Sequence, residues 1–350
     1  MSQSVHIVAL GARTVIGLSA ETSAAAARAQ ISRIREHPHL VDRRGEPIRV
    51  SLDAELDPGL TSWQRLRKLA VPPLCAVLTK LSSGSDWRAP LELLLALPEP
   101  RPGWSDADSQ RLAEALARTA PPTGGQLQVF VAERGHAGGL HALAQGAQKI
   151  ACGAKDLCII GGVDSYLEPC TLDWLDANRQ LVGQGARSGF FPGEGAGFIA
   201  LASPHALRTL RMPSLAKVRG FHGAQETRLI KTNTECLGEG LAAAISGAVS
   251  CLRPQEYVDT IYCDINGERY RSEEWGFALM RTQHAFKDAT RYVAPANCWG
   301  DVGAASGALL SILAVRAWER SYSRGPLALV WGSSESGLRS SVLLEQARTE

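Results

Sequence analysis

The residue with the clearest chemical potential in this sequence is His136, which lies between a strand-like run and a helix-like run in VFVAERGHAGGLHALAQGAQKI, residues 129–150. A strand that turns sharply into a helix presents the residue at the turn to the helix N-terminus, where a nucleophile is usually found. Imidazole is instead a general base, and an acyl-imidazole is too reactive to store an acyl group. We therefore expect His136 to act as a general base or as a buried polar group.

Strand-like and helix-like segments alternate along the whole chain, which is typical of the α/β class. The strand VHIVAL is followed by Gly11 and an alanine-rich helix, and the helix after His136 is followed by the strand DLCIIGGVDS. The connector RTLRMPS then separates this first series from a second series of the same kind. The pattern predicts two comparable α/β halves, residues 1–213 and 214–350, and indicates an ancient duplication.

The composition is that of an ordinary globular protein, with 45% hydrophobic and 21% charged residues among 350. The 37 Lys and Arg nearly balance the 35 Asp and Glu, so no overall field favours a nucleic acid or an anionic membrane as a partner. No apolar run approaches membrane-spanning length, and MSQSVHIVALGARTVIG predicts a strand and turn rather than an export signal. The eight cysteines include no C-x-x-C pair, so we expect reduced thiols in a cytoplasmic protein and no zinc site built from cysteine pairs.

Several glycine-rich segments follow one another in a fixed order. They are VHIVALGARTVIG at 5–17, HAGGLHALAQGAQKIACGAKDLCIIGGVDSYL at 136–167, FFPGEGAGFIAL at 190–201 and GDVGAASGALLSIL at 300–313. In this order they resemble the β-ketoacyl synthase branch of the thiolase-like superfamily over nearly the whole chain. The resemblance implies a thiolase-like α/β fold, with two duplicated halves in an αβαβα layered arrangement.

The same resemblance implies where a catalytic set would lie. In the synthases, a cysteine at the N-terminus of a buried helix acts with two histidines, and the cysteine position falls here on His136. The two histidine positions fall on Asp264 and Asp301, and an associated lysine position falls on Ala296. The resemblance therefore implies a synthase-like protein that lacks the Cys-His-His set.

These replacements predict that the synthase reaction is lost. Two carboxylates would remove the donors aimed at a developing enolate and would repel that enolate and a malonyl carboxylate. A helix N-terminus disfavours imidazolium, whereas Asp264 and Asp301 would favour it. We expect a buried His136 that is hydrogen-bonded to one or both aspartates, in a polar cluster that fills an abandoned pocket.

Other interpretations of single residues stay open. One histidine with two carboxylates is a type of set that binds metals, although a satisfied core histidine accounts for it equally, and we predict no metal or cofactor. Glu268 and Arg269 could contact a substrate, but we expect NGERYRSEEW to be a charged surface turn. Cys263 and Cys298 could supply a relocated thiol, but we expect them to be small buried hydrophobic residues.

The C-terminal loop also differs from the family pattern. The resemblance implies a Gly-Phe-Gly-Gly-like loop that gates acyl entry, whereas GSSESGLRSS at 332–341 keeps only Gly337 in a comparable place. In contrast, the glycines from Gly193 to Gly197 are present, and close backbone packing is enough to explain them. These differences predict a retained scaffold with an altered site.

Two classes of function follow. The first is a non-catalytic scaffold, adaptor or partner subunit. Family members dimerise through the strand before the nucleophile, so a homodimer through LQVFVAE, residues 127–133, is expected. The protein partners that the resemblance implies are a type VI secretion effector, an active synthase or an acyl carrier protein. The alternative is an acyltransferase or thioester hydrolase that uses His136 as general base, oriented by Asp264 or Asp301, with water as the attacking group.

Overall fold

Strands and helices alternate through residues 3–83, 87, 89–119, 125–183, 188–229 and 231–347, which are the residues that the computed structural model describes. The strands are β1 Val5–Thr14, β2 Arg35–Val41, β3 Pro47–Val50, β4 Leu91–Leu97, β5 Leu127–Arg134, β6 Leu157–Ser165, β7 Glu194–Ala202, β8 Ala216–Gln225, β9 Thr260–Cys263, β10 Tyr292–Val293, β11 Leu327–Ser333 and β12 Leu338–Gln346. The helices are α1 Ala20–Arg28, α2 Ser62–Ser82, α3 Asp106–Ala117, α4 Gly138–Ala151, α5 Pro169–Ala177, α6 Pro204–Leu210, α7 Glu239–Val249, α8 Arg269–Thr282, α9 Ala296–Trp299 and α10 Ser306–Glu319.

The strand order repeats on the two sides of residue 213. Ten of the strands form one sheet in the order β10-β9-β11-β12-β8-β1-β7-β6-β4-β5, and β2 and β3 form a separate pair. When the five sheet strands of each side are numbered in chain order, both sides read third, second, fourth, fifth and first from the outer edge to the centre. The parallel and antiparallel pairings also match, and β1 pairs with β8 in antiparallel fashion at the join. We propose on this basis that residues 1–213 and 214–350 are duplicated halves; residues 1, 2 and 348–350 lie outside the described part.

Three apolar clusters define the layers. The central cluster contains α4 and α10, which pack together and contact strands from both halves of the sheet. A second cluster joins α2 and α3 to the outer face of the first half, and a third joins α7 and α8 to the outer face of the second. The result is the αβαβα layering expected of a thiolase-like fold, because a sheet with two apolar faces must be covered on both.

Local sequence explains the element boundaries nearest the site. Ser19 forms a capping box with Thr22 at the start of α1, and α2 continues through Pro72 and Pro73. Every residue of β4, β6 and β7 is buried, as expected for strands covered on both faces. None of the described helices has the length and hydrophobicity that a bilayer span requires.

Candidate functional site

The turn between β5 and α4 holds His136 in the interior, where its side chain is 3% exposed. Gly135 has a φ of +74°, and a Cβ there would lie 2.8 Å from Ser334 Oγ, so only glycine fits this turn. The Ala137 N–H donates to Ser334 Oγ at 3.0 Å, and that hydroxyl donates to the Arg134 carbonyl at 3.1 Å. The loop between β11 and β12 therefore fixes the direction in which His136 points.

Asp301 is the direct partner of His136. The imidazole Nε2 lies 2.7 Å from Oδ1 and 2.9 Å from Oδ2 of this carboxylate. The Asn266 amide donates to Oδ2 at 2.6 Å, and the Gly303 N–H donates to Oδ1 at 2.8 Å. The backbone of Asp301 is held by Phe191 and Gly193, so the retained glycine-rich segment before β7 positions this carboxylate.

The pKa values of the pair are shifted apart. Burial and the neighbouring Arg271 guanidinium lower the pKa of His136, but Asp301 and, more weakly, Asp264 outweigh them, so that the pKa is raised overall. Burial alone would raise the pKa of Asp301, but attraction to His136 and the hydrogen bond between them hold it well below its usual range. The arrangement favours imidazolium beside carboxylate, a buried ion pair.

Asp264, the other aspartate expected near His136, is bonded to a different cation. Its Oδ2 accepts from Arg271 Nη1 at 2.9 Å and from the Ser333 N–H at 2.8 Å. The second guanidinium nitrogen of Arg271, Nη2, lies 3.3 Å from both ring nitrogens of His136. Arg271 therefore separates Asp264 from His136. The predicted site residues His136, Asp264 and Asp301 do not form a common set of metal ligands.

Arg271 also meets Glu268, the third carboxylate of the cluster. Arg271 Nε lies 3.4 Å from Glu268 Oε2, and Lys231 Nζ lies 3.4 Å from Glu268 Oε1. Burial would raise the pKa of Glu268, but the cations Arg271 and Lys231 hold it below its ordinary value. Three buried carboxylates thus face two buried cations, if His136 is protonated, and the exposed Lys231, which also pairs with Glu335. The Tyr270 hydroxyl adds a hydrogen bond to Glu268 at 2.7 Å.

The prediction of a surface turn at NGERYRSEEW is wrong. The segment enters helix α8, and Glu268, Arg271 and Glu274 are 4%, 1% and 1% exposed. The side chain of Arg269 is 81% exposed, so it does not share a site with Glu268. The signal that could have found this helix is the spacing of Arg271, Glu274, Trp275 and Ala278, which places them on one helical face.

The space left beside the cluster is very small. A cavity of about 20 Å³ borders Asp264, Asn266, Trp299 and Asp301. A single water occupies roughly 10 to 15 Å³ of such volume, so this cavity accommodates about one water molecule. It does not hold an acyl chain.

The two cysteines considered as relocated thiols lie in the core. Cys263 and Cys298 are both 0% exposed, which confirms the prediction of small buried residues. Burial raises the pKa of both thiols, which disfavours the nucleophilic thiolate.

A group of metal-type ligands lies elsewhere, at Glu226, Cys236 and Glu274. One ligand atom from each of them lies within 4.8 Å of the others. However, Arg339 Nε already donates to Glu274 at 2.5 Å, and burial and Glu274 raise the pKa of Cys236 to about 11. A neutral thiol beside an ion pair explains this group without a cation.

The protein thus has a layered α/β fold, with a buried polar cluster at the start of its central helix, α4. The family model described as Beta-ketoacyl synthase, N-terminal domain, matches residues 131–205. A search of curated protein sequences gave no match.

Solved structures extend the similarity to the rest of the chain. The structure of a type II polyketide synthase acyl-carrier protein in complex with its ketosynthase is 14% identical, with a TM-score of 0.78 over 99% of this chain and 100% of that chain. The ishigamide ketosynthase/chain length factor is 16% identical, with the same TM-score and coverage. The ketosynthase from module 6 of the bacillaene synthase from Bacillus subtilis 168 is 12% identical, with a TM-score of 0.74 over 99% of this chain and 72% of that chain. The fold is the thiolase-like fold of these ketosynthases, as predicted, and residues 131–205 are similar to the N-terminal domain of β-ketoacyl synthases.

Proposed function

We propose that this protein is a catalytically inactive β-ketoacyl synthase-like chain that acts through protein partners, as a scaffold, an adaptor or a partner subunit. In this proposal His136, Asp264 and Asp301 stand where the synthases carry cysteine and two histidines. The observation that carries the proposal is the ion pair of His136 with Asp301. Arg271 contacts the imidazole of His136, and the adjoining cavity has a volume of only about 20 Å³.

This arrangement opposes covalent acyl transfer. A nucleophile must be accessible to the thioester carbon, whereas Nε2 of His136 is bonded to Asp301 and both ring nitrogens lie 3.3 Å from Arg271 Nη2. The raised pKa also favours imidazolium, which has no free lone pair. The site therefore lacks an available nucleophile at the N-terminus of α4.

The same arrangement of charged side chains opposes decarboxylative condensation for a related reason. An enolate requires donors that are free to turn toward it, and Asp264 and Asp301 are acceptors. The cation of the cluster, Arg271, is already used by Asp264, Glu268 and the Ser333 carbonyl. The buried carboxylates already pair with the buried cations, so no cation is available for a developing negative charge.

We also propose that two copies pair through the strand 127–133. The outer edge of β5 has no partner strand among the described residues, and this strand exposes Phe130 at 47% and Val131 at 42%. An unpaired strand with exposed apolar side chains is suited to pairing across a two-fold axis. The similar structures include a ketosynthase with its acyl-carrier protein and a ketosynthase/chain length factor, which supports a role that depends on protein partners.

A type VI secretion effector, an active synthase and an acyl carrier protein are the partners that we propose to test. We propose a cytoplasmic location, which the eight unpaired cysteines support because disulfides are rare in reducing compartments. Affinity purification of the tagged full-length chain from its native cell, with mass spectrometry of the bound proteins, distinguishes these partners. Recovery of the chain alone, with no stoichiometric partner, would count against a scaffold role.

One contact favours a second candidate function, a thioester hydrolase or acyltransferase. The 2.7 Å contact between His136 and Asp301 is the geometry of a general base and the carboxylate that orients it. In this reading Arg271 moves aside, and neutral His136 takes a proton from a water molecule that adds to the thioester carbonyl. The C–S bond then breaks, and His136 returns the proton to the leaving thiol, so that a carboxylic acid and a free thiol are released.

Incubation of the protein with a panel of acyl-CoA thioesters separates the two functions. We expect no release of free thiol above the uncatalysed rate, and no acyl adduct in the intact mass, for either the wild-type protein or His136→Ala. Turnover by the wild-type protein that His136→Ala abolishes would establish the hydrolase or transferase instead. An acyl adduct on a cysteine would contradict both.

A further inference from the structure

A cavity of about 470 Å³ lies between α1, α10, β9 and β10, and we call it the tyrosine cavity. Its walls include Tyr262, Tyr292 and Tyr322, with the apolar side chains of Val293 and Leu313 between them. It shares no lining residue with the small cavity beside Asp301. Its volume lies in the range of pockets that bind small molecules, roughly 300 to 1,000 Å³.

The inner wall of the tyrosine cavity carries the hydroxyl groups of Thr260 and Tyr262. Tyr262 and Thr260 are alternate residues of β9, so their side chains share one face of the sheet. The two residues are 5% and 7% exposed, and neither hydroxyl has a hydrogen-bond partner in the described part of the protein. The Thr260 hydroxyl is itself fully buried, and since buried hydroxyls are nearly always paired, it indicates a missing polar partner at this wall. The Tyr262 hydroxyl is not fully buried, so a molecule in the cavity can reach it. Burial raises the pKa of Tyr262, which keeps its phenol neutral and able to donate.

The rim of the tyrosine cavity is cationic. Arg28, Arg291 and Arg324 line it, and no acidic residue does. Arg291 pairs with Asp288 at 3.1 Å, whereas Arg28 and Arg324 form no ion pair with a described residue. The guanidinium carbon of Arg28 lies 4.1 Å from the centre of the Tyr322 ring, which holds this cation over an aromatic face. The rim therefore combines positive charge with flat aromatic surfaces.

We propose that the tyrosine cavity binds a small planar anion, an aromatic or heteroaromatic carboxylate or phosphate of about mononucleotide size. The tyrosine rings flank the ring of the ligand, and the arginines at the rim bind its negative charge. The hydroxyl of Tyr262 binds a polar ring substituent. This site is independent of the role proposed for the His136 cluster.

Titration of the full-length protein with 1-anilinonaphthalene-8-sulfonate, an aromatic anion, tests this proposal by fluorescence. We expect saturable binding that AMP or indole-3-acetate displaces and that cyclohexanecarboxylate, which has no planar ring, does not. Displacement by AMP alone would identify a phosphate ligand, and displacement by indole-3-acetate alone a carboxylate.

Three variants locate the binding. We expect Arg324→Gln to weaken the affinity for the probe about tenfold, because it removes a charged partner from the rim. Tyr262→Phe removes only the inner hydroxyl and is expected to weaken displacement by AMP or indole-3-acetate. Arg111→Gln removes the same charge from an exposed position on α3 and is expected to change nothing. Absence of saturable binding by the wild-type protein, or equal binding by Arg324→Gln and the wild-type protein, would overturn the proposal.

Discussion

The guanidinium of Arg271 lies against the imidazole of His136, with Nη2 3.3 Å from both ring nitrogens. Two cations in contact would repel each other in isolation, but Asp264, Glu268 and Asp301 surround them. Each of the five groups is buried, so removal of any one leaves the others without full compensation.

Arg271 is expected to be essential for stability. Arg271→Ala would leave Asp264 and Glu268 as buried, incompletely paired carboxylates, and we expect it to lower the free energy of unfolding by about 3 to 5 kcal/mol. Arg269→Ala, two residues earlier on the exposed side of α8, is the matched control, and we expect a change within about 0.5 kcal/mol. Urea denaturation followed by circular dichroism measures both, and similar losses in the two variants would contradict the assigned role.

The ion pair between His136 and Asp301 predicts a pH-dependent stability. The folded-state pKa of His136 is raised above 6.5, so its contribution is fully present below pH 6.5 and is lost as the pH rises through the folded value. The folded-state pKa of Asp301 is lowered from 3.8, so its contribution is present above pH 3.8 and is lost as the pH falls through the folded value. Both contributions are therefore present between these limits.

Comparison with Asp301→Asn isolates this effect. We expect the difference in Tm between the wild-type protein and Asp301→Asn to be larger near pH 5 than near pH 9. Asp288→Asn removes an exposed carboxylate that pairs with Arg291, and we expect its difference in Tm to stay flat over the same range. A flat difference for Asp301→Asn as well would mean that His136 is neutral throughout.

Two helical glycines, one at the contact between α4 and α10 and one in an open position on α8, are expected to respond in opposite ways to substitution by alanine. A Cβ at Gly307 would lie 2.6 Å from the Leu140 backbone nitrogen, so we expect Gly307→Ala to destabilise the protein by about 1 to 3 kcal/mol. A Cβ at Gly276, inside α8, would meet nothing within 4 Å, so we expect Gly276→Ala to stabilise it by about 0.4 to 1 kcal/mol. Denaturant midpoints check both signs, and a destabilising Gly276→Ala would show that crowding is not what distinguishes the sites.

The exposed residues of β5 predict how the dimer is broken. Phe130→Glu and Val131→Glu place a charge on the proposed pairing strand, and we expect each to weaken self-association about tenfold or more. Met280→Glu alters an exposed apolar residue on α8, 74% exposed and away from β5, and we expect it to leave association unchanged. Light scattering on the 37.4 kDa chain measures the mass, and a wild-type monomer at all concentrations would exclude the dimer.

Long periodic segments made most of the fold predictable from sequence. The apolar runs of β4, β6 and β7 and the small-residue helices α4 and α10 carry their pattern over seven or more residues. The hairpin of β2 and β3 was missed because β2 has no buried residue and little apolar alternation, and β3, which does alternate, has only four residues. Helix α8 was missed because its first residues are mostly charged, and its buried face itself includes the charged residues Arg271 and Glu274.

The candidate site was less accessible to sequence reasoning. His136 and Asp301 are 165 positions apart, so no local spacing connects them, and only the family resemblance suggested that they meet. Arg271 was not predicted at all, since an arginine in a charged run gives no sign of being 1% exposed. Its role depends on tertiary contacts with Asp264 just after β9, with His136 just before α4 and with Ser333 at the end of β11.

The position of α4 and α10 between the two proposed halves has a consequence for how the molecule melts. Each of these helices packs against strands of both halves. A fragment ending at residue 213 would therefore expose to solvent the side of α4 that packs against the second half. Neither half can then persist while the other opens, and a calorimetric scan should show one cooperative transition whose van't Hoff and calorimetric enthalpies agree.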